Sequence, residues 1–311
     1  LGPLLRSAHV ATPIGVIETG SGPGASGAAD LLATASGAEG ALGVVTRAEL
    51  VCRARPEAQA GRALVFRDLA HGLVALRRLA QDGIAPELCE LSDEDDMVLA
   101  APSLGRPAGR GRLRSRTAGA LLILGATGRH GEAAARLQAA IDACDEDAPH
   151  DLGVEPARLR VRGAFDGPYV RDAAIDAGFL ADRLDIACTW RALPIVRESL
   201  LGAVGDALGR PCLIGCRITH PDVDGARLVV RIHAPVAPGD EIERWRAVQG
   251  AAYGALLEHG AGLAPGRGVG RHATRWLARA HGRTSEGVLR VLKDALDPLG
   301  VLNPGALVNP P

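Results

Sequence analysis

The sequence predicts an α+β fold, an antiparallel sheet covered by flanking helices. Three observations point there. Cys212–Thr219 and Arg227–His233 read as a strand pair around Asp222-Val223-Asp224-Gly225, whose Asp-Gly step signals a turn. Helical segments stand on both sides of that pair, which favours an α+β layer over a purely parallel doubly wound sheet. Aromatic residues make up only 3% of the chain, so the core is built from Leu, Val, Ile and Ala.

The elements follow in order. Ile14–Ile17 is a short strand and Gly20-Ser21-Gly22-Pro23-Gly24 a loop. Ala29–Ala35 suits a helix. Gly37-Ala38-Glu39-Gly40-Ala41-Leu42-Gly43 leads into an apolar strand over 44–51. Arg62–Phe66 reads as a strand, and Leu69–Asp82 has helical spacing closed by Gly83. Pro86–Leu91 is a strand before the acidic run Asp93-Glu94-Asp95-Asp96. Ala120–Leu124 is a buried strand, and Glu132–Cys144, Tyr169–Gly178 and Leu193–Leu208 are helices, the second closed by its glycine. Residues 145–156 read as an acidic, Pro-containing loop. Glu241–His259 is a long amphipathic helix. A final helix over 285–296 stops at Asp297-Pro298.

Size and charge narrow the function. At 311 residues the chain suits one large domain or two ordinary ones. The net charge of −1 argues against a general nucleic-acid binder held by phosphate neutralisation. No apolar run reaches the roughly 20 residues of a membrane span. Six scattered cysteines predict reduced, mostly buried thiols and a cytoplasmic compartment. Cys212, Cys216 and His220 would share a face of one strand, a weak metal pattern without an evident fourth ligand. Residues 101–119, with Arg106, Arg110, Arg112, Arg114 and Arg116 among glycines, read as a flexible connector, with an anion-binding loop as the alternative.

Gly125, Gly128 and Gly131 after the strand Leu121-Leu122-Ile123-Leu124 match the spacing of a dinucleotide-binding turn, which would make the protein an NAD(P)-binding reductase. The context is poor for it. The turn falls late in the chain, no prompt strand with an acidic end follows, and the chain's one Lys, Lys293, cannot belong to a Tyr-x-x-x-Lys pair.

Several segments, taken in order, carry a resemblance. Gly37-Ala38-Glu39-Gly40-Ala41-Leu42-Gly43-Val44-Val45-Thr46 is similar to Gly-Ser-Glu-Gly-Thr-Leu-Gly-Ile-Ile-Thr, and Asp30 stands where a Gly-x-Asp-Leu helix start is found. Pro168-Tyr169-Val170-Arg171-Asp172 with Asp176-Ala177-Gly178 and Thr189-Trp190 forms a second block. Cys216-Arg217-Ile218-Thr219 with Asp224-Gly225-Ala226 forms a third, and Gly268-Val269-Gly270-Arg271 with Trp276 a fourth. Asp297-Pro298-Leu299-Gly300-Val301-Leu302-Asn303-Pro304-Gly305 is the tail. Together they resemble the flavin-linked oxidases with a vanillyl-alcohol-oxidase-type fold, with the alkylglycerone-phosphate synthase branch nearest. The resemblance implies that residues 1–51 are the C-terminal part of a PCMH-type FAD-binding domain and residues 52–311 an FAD-linked oxidase C-terminal cap domain. It implies FAD as cofactor and a small-molecule partner, a hydroxy acid or a glycerone phosphate ester, and it permits a homodimer. A hydroxy acid would pass hydride to the flavin while a base takes the hydroxyl proton.

The resemblance also assigns residues. Glu39, Gly40, Gly43, Val44 and Val45 become flavin-side positions, since glycine lets the main chain approach a cofactor closely. Arg171 faces the anionic end of the substrate, a task suited to the planar guanidinium, with Arg217 and Arg267 as further candidates. Departures are equally specific. Ala264-Pro265-Gly266-Arg267-Gly268-Val269-Gly270 stands where the family has Ser-His-His-His-Gly-Val-Gly. Val229 stands at the family's tyrosine and Glu90 at an expected arginine. Histidine is the side chain best placed to exchange protons near neutral pH, so His220 becomes the candidate base. These losses leave a non-catalytic homologue as an alternative. The chain opens on Leu1 rather than Met, and the resemblance places the pyrophosphate half of the flavin domain ahead of it, so this piece alone is expected to bind flavin weakly or not at all.

Overall fold

The computed structural model describes residues 4–20, 30–100, 119–209, 211–263 and 268–308. In chain order the elements are β1 (Leu5–Thr12), β2 (Gly15–Glu18), α1 (Leu31–Ala35), β3 (Val44–Leu50), β4 (Ala58–Phe66), α2 (Leu69–Gln81), β5 (Leu88–Ser92), α3 (Glu94–Ala100) and β6 (Ala120–Gly128). There follow α4 (His130–Asp142), a 3₁₀ turn (Asp145–Asp147), β7 (His150–Gly153), α5 (Glu155–Arg162), α6 (Gly167–Asp176), β8 (Phe179–Thr189) and α7 (Leu193–Leu208). The last are β9 (Leu213–Thr219), β10 (Gly225–Pro235), α8 (Glu241–Glu258), β11 (Gly262–Leu263), α9 (Gly270–His281) and α10 (Arg283–Leu296).

These elements form two compact units, one of Leu1–Arg55 with Leu263–Pro311 and one of Pro56–Gly262. The first holds a three-stranded sheet in the order β2-β1-β3, with β1 antiparallel to both neighbours. In it α9 buries Ala273, Thr274, Trp276 and Leu277.

The second unit carries the strand order β8-β10-β9-β5-β6-β4-β7, antiparallel at every step. Register explains how this sheet divides its labour. Leu64, Leu122, Leu91, Ile218, Leu228 and Ile186 are partners in succession across six strands. Each is at most 2% exposed, so this row is core. Side chains alternate along a strand. The next row, Leu121, Ser92, Arg217, Val229 and Asp185, therefore points to the opposite face. Helix α7 packs on α8 and on the core side of β10, and buries Leu193, Val196, Leu200, Val204 and Leu208, one stripe at helical spacing.

The β9–β10 hairpin forms where the Asp-Gly step signals it. Trp190 Nε1 donates to the carbonyls of Asp222 (2.8 Å) and Val223 (3.1 Å), and a Cβ on Gly225 would collide with the carbonyl of Cys188. Other segments differ from expectation. The acidic run is a helix start: Asp93 Oδ1 accepts from the amide of Asp96 at 2.9 Å, capping α3. The loop expected over 145–156 holds β7 and the start of α5. Gly125 and Gly128 are not a turn at all. Both lie inside β6, opposite Gly61 and Ala58 of antiparallel β4. A Cβ on Gly61 would stand 2.9 Å from that of Ala157 on α5, and one on Gly125 would stand 3.0 Å from that of Leu88. Gly61 and Gly125 thus serve close packing inside an antiparallel pair, and Gly128 ends β6 just before α4. Among the described residues no helix is long and apolar enough to cross a membrane.

Candidate functional site

The polar row of the large sheet builds a chain of alternating charge. Arg160 of α5 grips Glu90 of β5 with two bonds, Nε–Oε2 at 2.7 Å and Nη2–Oε1 at 2.8 Å. Glu90 also accepts from Arg217 Nη1 at 3.3 Å, and Arg217 Nε reaches Asp96 Oδ2 at 2.9 Å. Arg231 Nε donates to Asp96 Oδ1 and its Nη2 to the main-chain oxygen of Asp96, both at 2.7 Å. Helix α3 delivers Asp96 because it crosses directly over Gly215, where any Cβ would strike the Asp96 backbone. The Asp96 side chain is fully buried. Burial would raise its pKa, but the guanidinium groups of Arg217 and Arg231 outweigh this and hold it below the ordinary carboxylate range. On the same face Arg183 Nη2 reaches Asp185 Oδ1 at 2.7 Å. The structure thus brings Arg217 to two carboxylates. It also sets Arg160 beside Glu90, so a guanidinium is present near the place where the sequence lacks the expected arginine.

His220 follows β9 in a left-handed conformation (φ 49°). Its Nδ1 lies 3.0 Å from Thr219 Oγ1. Partial burial and then the positive charge of Arg227 push its pKa below the ordinary histidine value, with Glu90 and Asp185 acting in the opposite sense. The ring is therefore neutral near pH 7 and has a lone pair to accept a proton. The expected alignment of Cys212, Cys216 and His220 does not occur. Cys216 lies on the core side with no exposure, Cys212 precedes the strand, and His220 has left it. Among the described residues no His, Cys, Asp or Glu group could hold a metal.

Beside the charged row lies an apolar cavity of about 770 Å³, a size that suits a small molecule. Val98 and Leu99 of α3, Tyr169, Val170 and Ala173 of α6, and His233 of β10 help line it. His233 and Arg231 share a face two residues apart. Burial, then Arg231, lowers the pKa of His233. Arg171 sits on α6 but does not line the cavity; both Nε (3.1 Å) and Nη2 (2.8 Å) reach Asp172 Oδ1, with both side chains exposed. Arg267 and most of the 101–119 segment lie outside the described residues.

In the first unit the glycine-rich turn is held from behind. Glu39 has φ 52°, and its carboxylate accepts from the amides of Val269 (2.5 Å) and Gly270 (2.7 Å) at the start of α9. A Cβ on Gly43 would strike Val10, so this glycine allows β1 and β3 to pack. Gly40 (φ 74°) faces the Asn303 side chain. Val44 and Val45 are about half exposed, and every residue of β3, an edge strand, is exposed. Of the turn's three glycines, packing requires Gly43; a Cβ on Gly40 would meet Asn303 at an ordinary 3.9 Å and one on Gly37 would meet nothing.

Sequence reasoning missed Asp96, Arg160, Arg231 and His233. The last two were within reach, because period two over Arg227–His233 places Arg227, Val229, Arg231 and His233 on one face.

A family model described as FAD linked oxidases, C-terminal domain, matches residues 55–307. An alkyldihydroxyacetonephosphate synthase of Trypanosoma brucei brucei is 26% identical over 332 aligned positions, covering 99% of this chain and 53% of the relative. A solved alkyldihydroxyacetonephosphate synthase structure superposes with a TM-score of 0.71 at 20% identity, over 97% of this chain and 53% of that one. A substrate-bound p-cresol methylhydroxylase gives 0.75 at 12% identity, over 99% and 65%. The chain spans about half the length of the curated relative.

Proposed function

Because the chain belongs to the family of FAD linked oxidases, C-terminal domain, we propose that it is the substrate-side part of an FAD-dependent oxidoreductase of the alkylglycerone-phosphate synthase or 2-hydroxy-acid dehydrogenase kind. Residues 1–51 are the flavin-side portion, and residues 52–311 the cap portion that receives a small hydroxy acid or a glycerone phosphate ester, although its last segment, Leu263–Pro311, belongs to one compact unit with Leu1–Arg55. FAD is the cofactor this family implies, and it supplies a two-electron acceptor. Val44 and Val45 on the exposed edge of β3 would hold it.

The observation that carries this reading is the adjacency on β10 of Arg231 in the charged row and His233 in the cavity wall. An ionic face and an apolar chamber side by side suit a substrate with an anionic head and an apolar body. His220, neutral near pH 7 with its Nδ1 engaged with Thr219, is the candidate base; it follows β9 at the end away from Leu213 and His233, so only a substrate extending along the charged row from the cavity reaches its Nε2. Arg171 approaches the anionic end by releasing Asp172. Buried, reduced thiols support a cytoplasmic location.

One observation favours a second reading, a homologue that binds without turnover. Arg217 is committed to Glu90 and Asp96, and its cross-strand partner Val229 brings no hydroxyl to the centre of the row. Anaerobic addition of 2-hydroxy acids to the flavin-loaded native protein separates the two. Bleaching by one of them, lost in His220→Ala, is the expected result. Flavin that stays oxidised with every hydroxy acid, and a protein without exchange activity on glycerone phosphate esters, leaves the second reading.

A further inference from the structure

We propose that Glu39 is a positioning residue whose carboxylate is turned away from the cofactor side, locking the glycine turn 37–43 onto the start of α9 and onto the chain's tail. Only its consequence for FAD rests on the functional reading above; the lock stands on geometry within one compact unit.

The lock has matched parts. Both carboxylate oxygens of Glu39 are engaged, with amides of Val269 and Gly270. These are among the N–H groups that a helix start leaves without intrahelical partners, and the positive end of the helix dipole favours a carboxylate there. A Cβ on Gly268 would come within 2.7 Å of the Glu39 carboxyl, so glycine at 268 (φ 78°) is what admits the side chain. Asn303 closes the other end. Its Nδ2 donates to the Glu39 carbonyl at 2.6 Å, and its Oδ1 accepts from Arg271 Nη2 at 3.1 Å. Glu39 (φ 52°) and Asn303 (φ 35°) are both non-glycine residues in the left-handed region. Such conformations persist only where surrounding contacts over-determine them.

Three sequence motifs far apart in the chain therefore meet at one point: the Gly-Ala-Glu-Gly turn, Gly268-Val269-Gly270-Arg271 and Asn303-Pro304-Gly305. The conspicuous glutamate of the first is used inward. What it fixes is the main chain from Gly40 to Val45, just before the exposed edge strand. A cofactor read through main-chain atoms needs that backbone held still, and a carboxylate behind the turn does this without touching the ligand.

Hydrogen–deuterium exchange on the full chain tests the lock. Glu39→Ala and Gly268→Ala act from opposite ends, yet each is expected to speed exchange in both 37–45 and 268–277 by about five- to tenfold, the factor expected from losing one capping interaction. Glu39→Gln, which keeps one acceptor oxygen, gives a smaller effect and serves if Glu39→Ala does not fold. Faster exchange confined to the peptide that carries the substitution overturns the proposal. In flavin-loaded protein, Glu39→Gln is expected to retain less FAD with an unchanged visible spectrum. A shifted spectrum with unchanged exchange makes Glu39 a cofactor contact and also overturns it. A wild-type protein without flavin removes the flavin reading alone, and the exchange result still decides the lock.

Discussion

Arg231 holds Asp96 twice, through a carboxylate oxygen and through the main-chain oxygen, both at 2.7 Å. One arginine thus fixes the charge of a fully buried acid and the helix turn that carries it. Arg217 binds the second carboxylate oxygen, so Asp96 is the hinge of the charged row.

Removing that charge leaves two nearly buried guanidinium groups short of a partner. Asp96→Asn is expected to destabilise the fold by about 3–5 kcal/mol, the cost of breaking a buried pair from one side. Urea unfolding measures it. The folded pKa of Asp96 lies below the ordinary carboxylate value. Its contribution is thus fully present above about pH 4 and is lost as pH falls through the lower folded value. Asp96→Asn is expected to flatten the stability curve in that acid range.

His233 acts in the same direction, at higher pH. Burial keeps its folded pKa below the ordinary value. As pH falls from about 6.5 the unfolded chain takes up the proton first, so stability declines until the folded value is reached. The loss in urea midpoint between about pH 7.5 and about pH 5.5 is expected to be smaller in His233→Gln. An equal loss would show that His233 does not titrate differently in the two states.

Helix α7 is fixed by its apolar stripe. Leu200 has no exposure, so Leu200→Ala is expected to cost about 2–5 kcal/mol through lost burial and the cavity left behind. Exposed Ile195 on the same helix is the control, and its replacement by Ala is expected to change the thermal midpoint little.

How much of this was legible depended on how cleanly each element separates its faces. Helix α7 was read to the residue because its stripe is unbroken. The hairpin of β9 and β10 was read from its Asp-Gly step. Strand β8 was not read, because it carries charge on both faces. Asp182 on the core side accepts from Trp245 and Gln249 while Arg183 and Asp185 lie on the other, which hides the alternation. Arg217 and His220 were picked out from sequence. Asp96 was missed, because an acidic run looks like loop until one member is known to lie between two arginines. The turn around Glu39 was legible as a motif, and which way its carboxylate points was not.

Thiol chemistry follows burial. Cys89, Cys144, Cys188 and Cys216 are buried, and burial raises each thiol pKa, to about 12 for Cys144 and about 11 for Cys188. Iodoacetamide at about pH 8 is expected to label exposed Cys52 first, partly exposed Cys212 more slowly, and the other four only after unfolding. Labelling of Cys216 in folded protein would contradict the packing of β9.

A flavin protein whose glycine turn serves a flavin-side edge strand carries FAD when isolated whole. The direct measurement is the visible absorption of the protein isolated from its native source, followed by chromatography of the cofactor it releases on denaturation. A flavin band and released FAD are the expected result. A colourless protein that retains NADPH would contradict it.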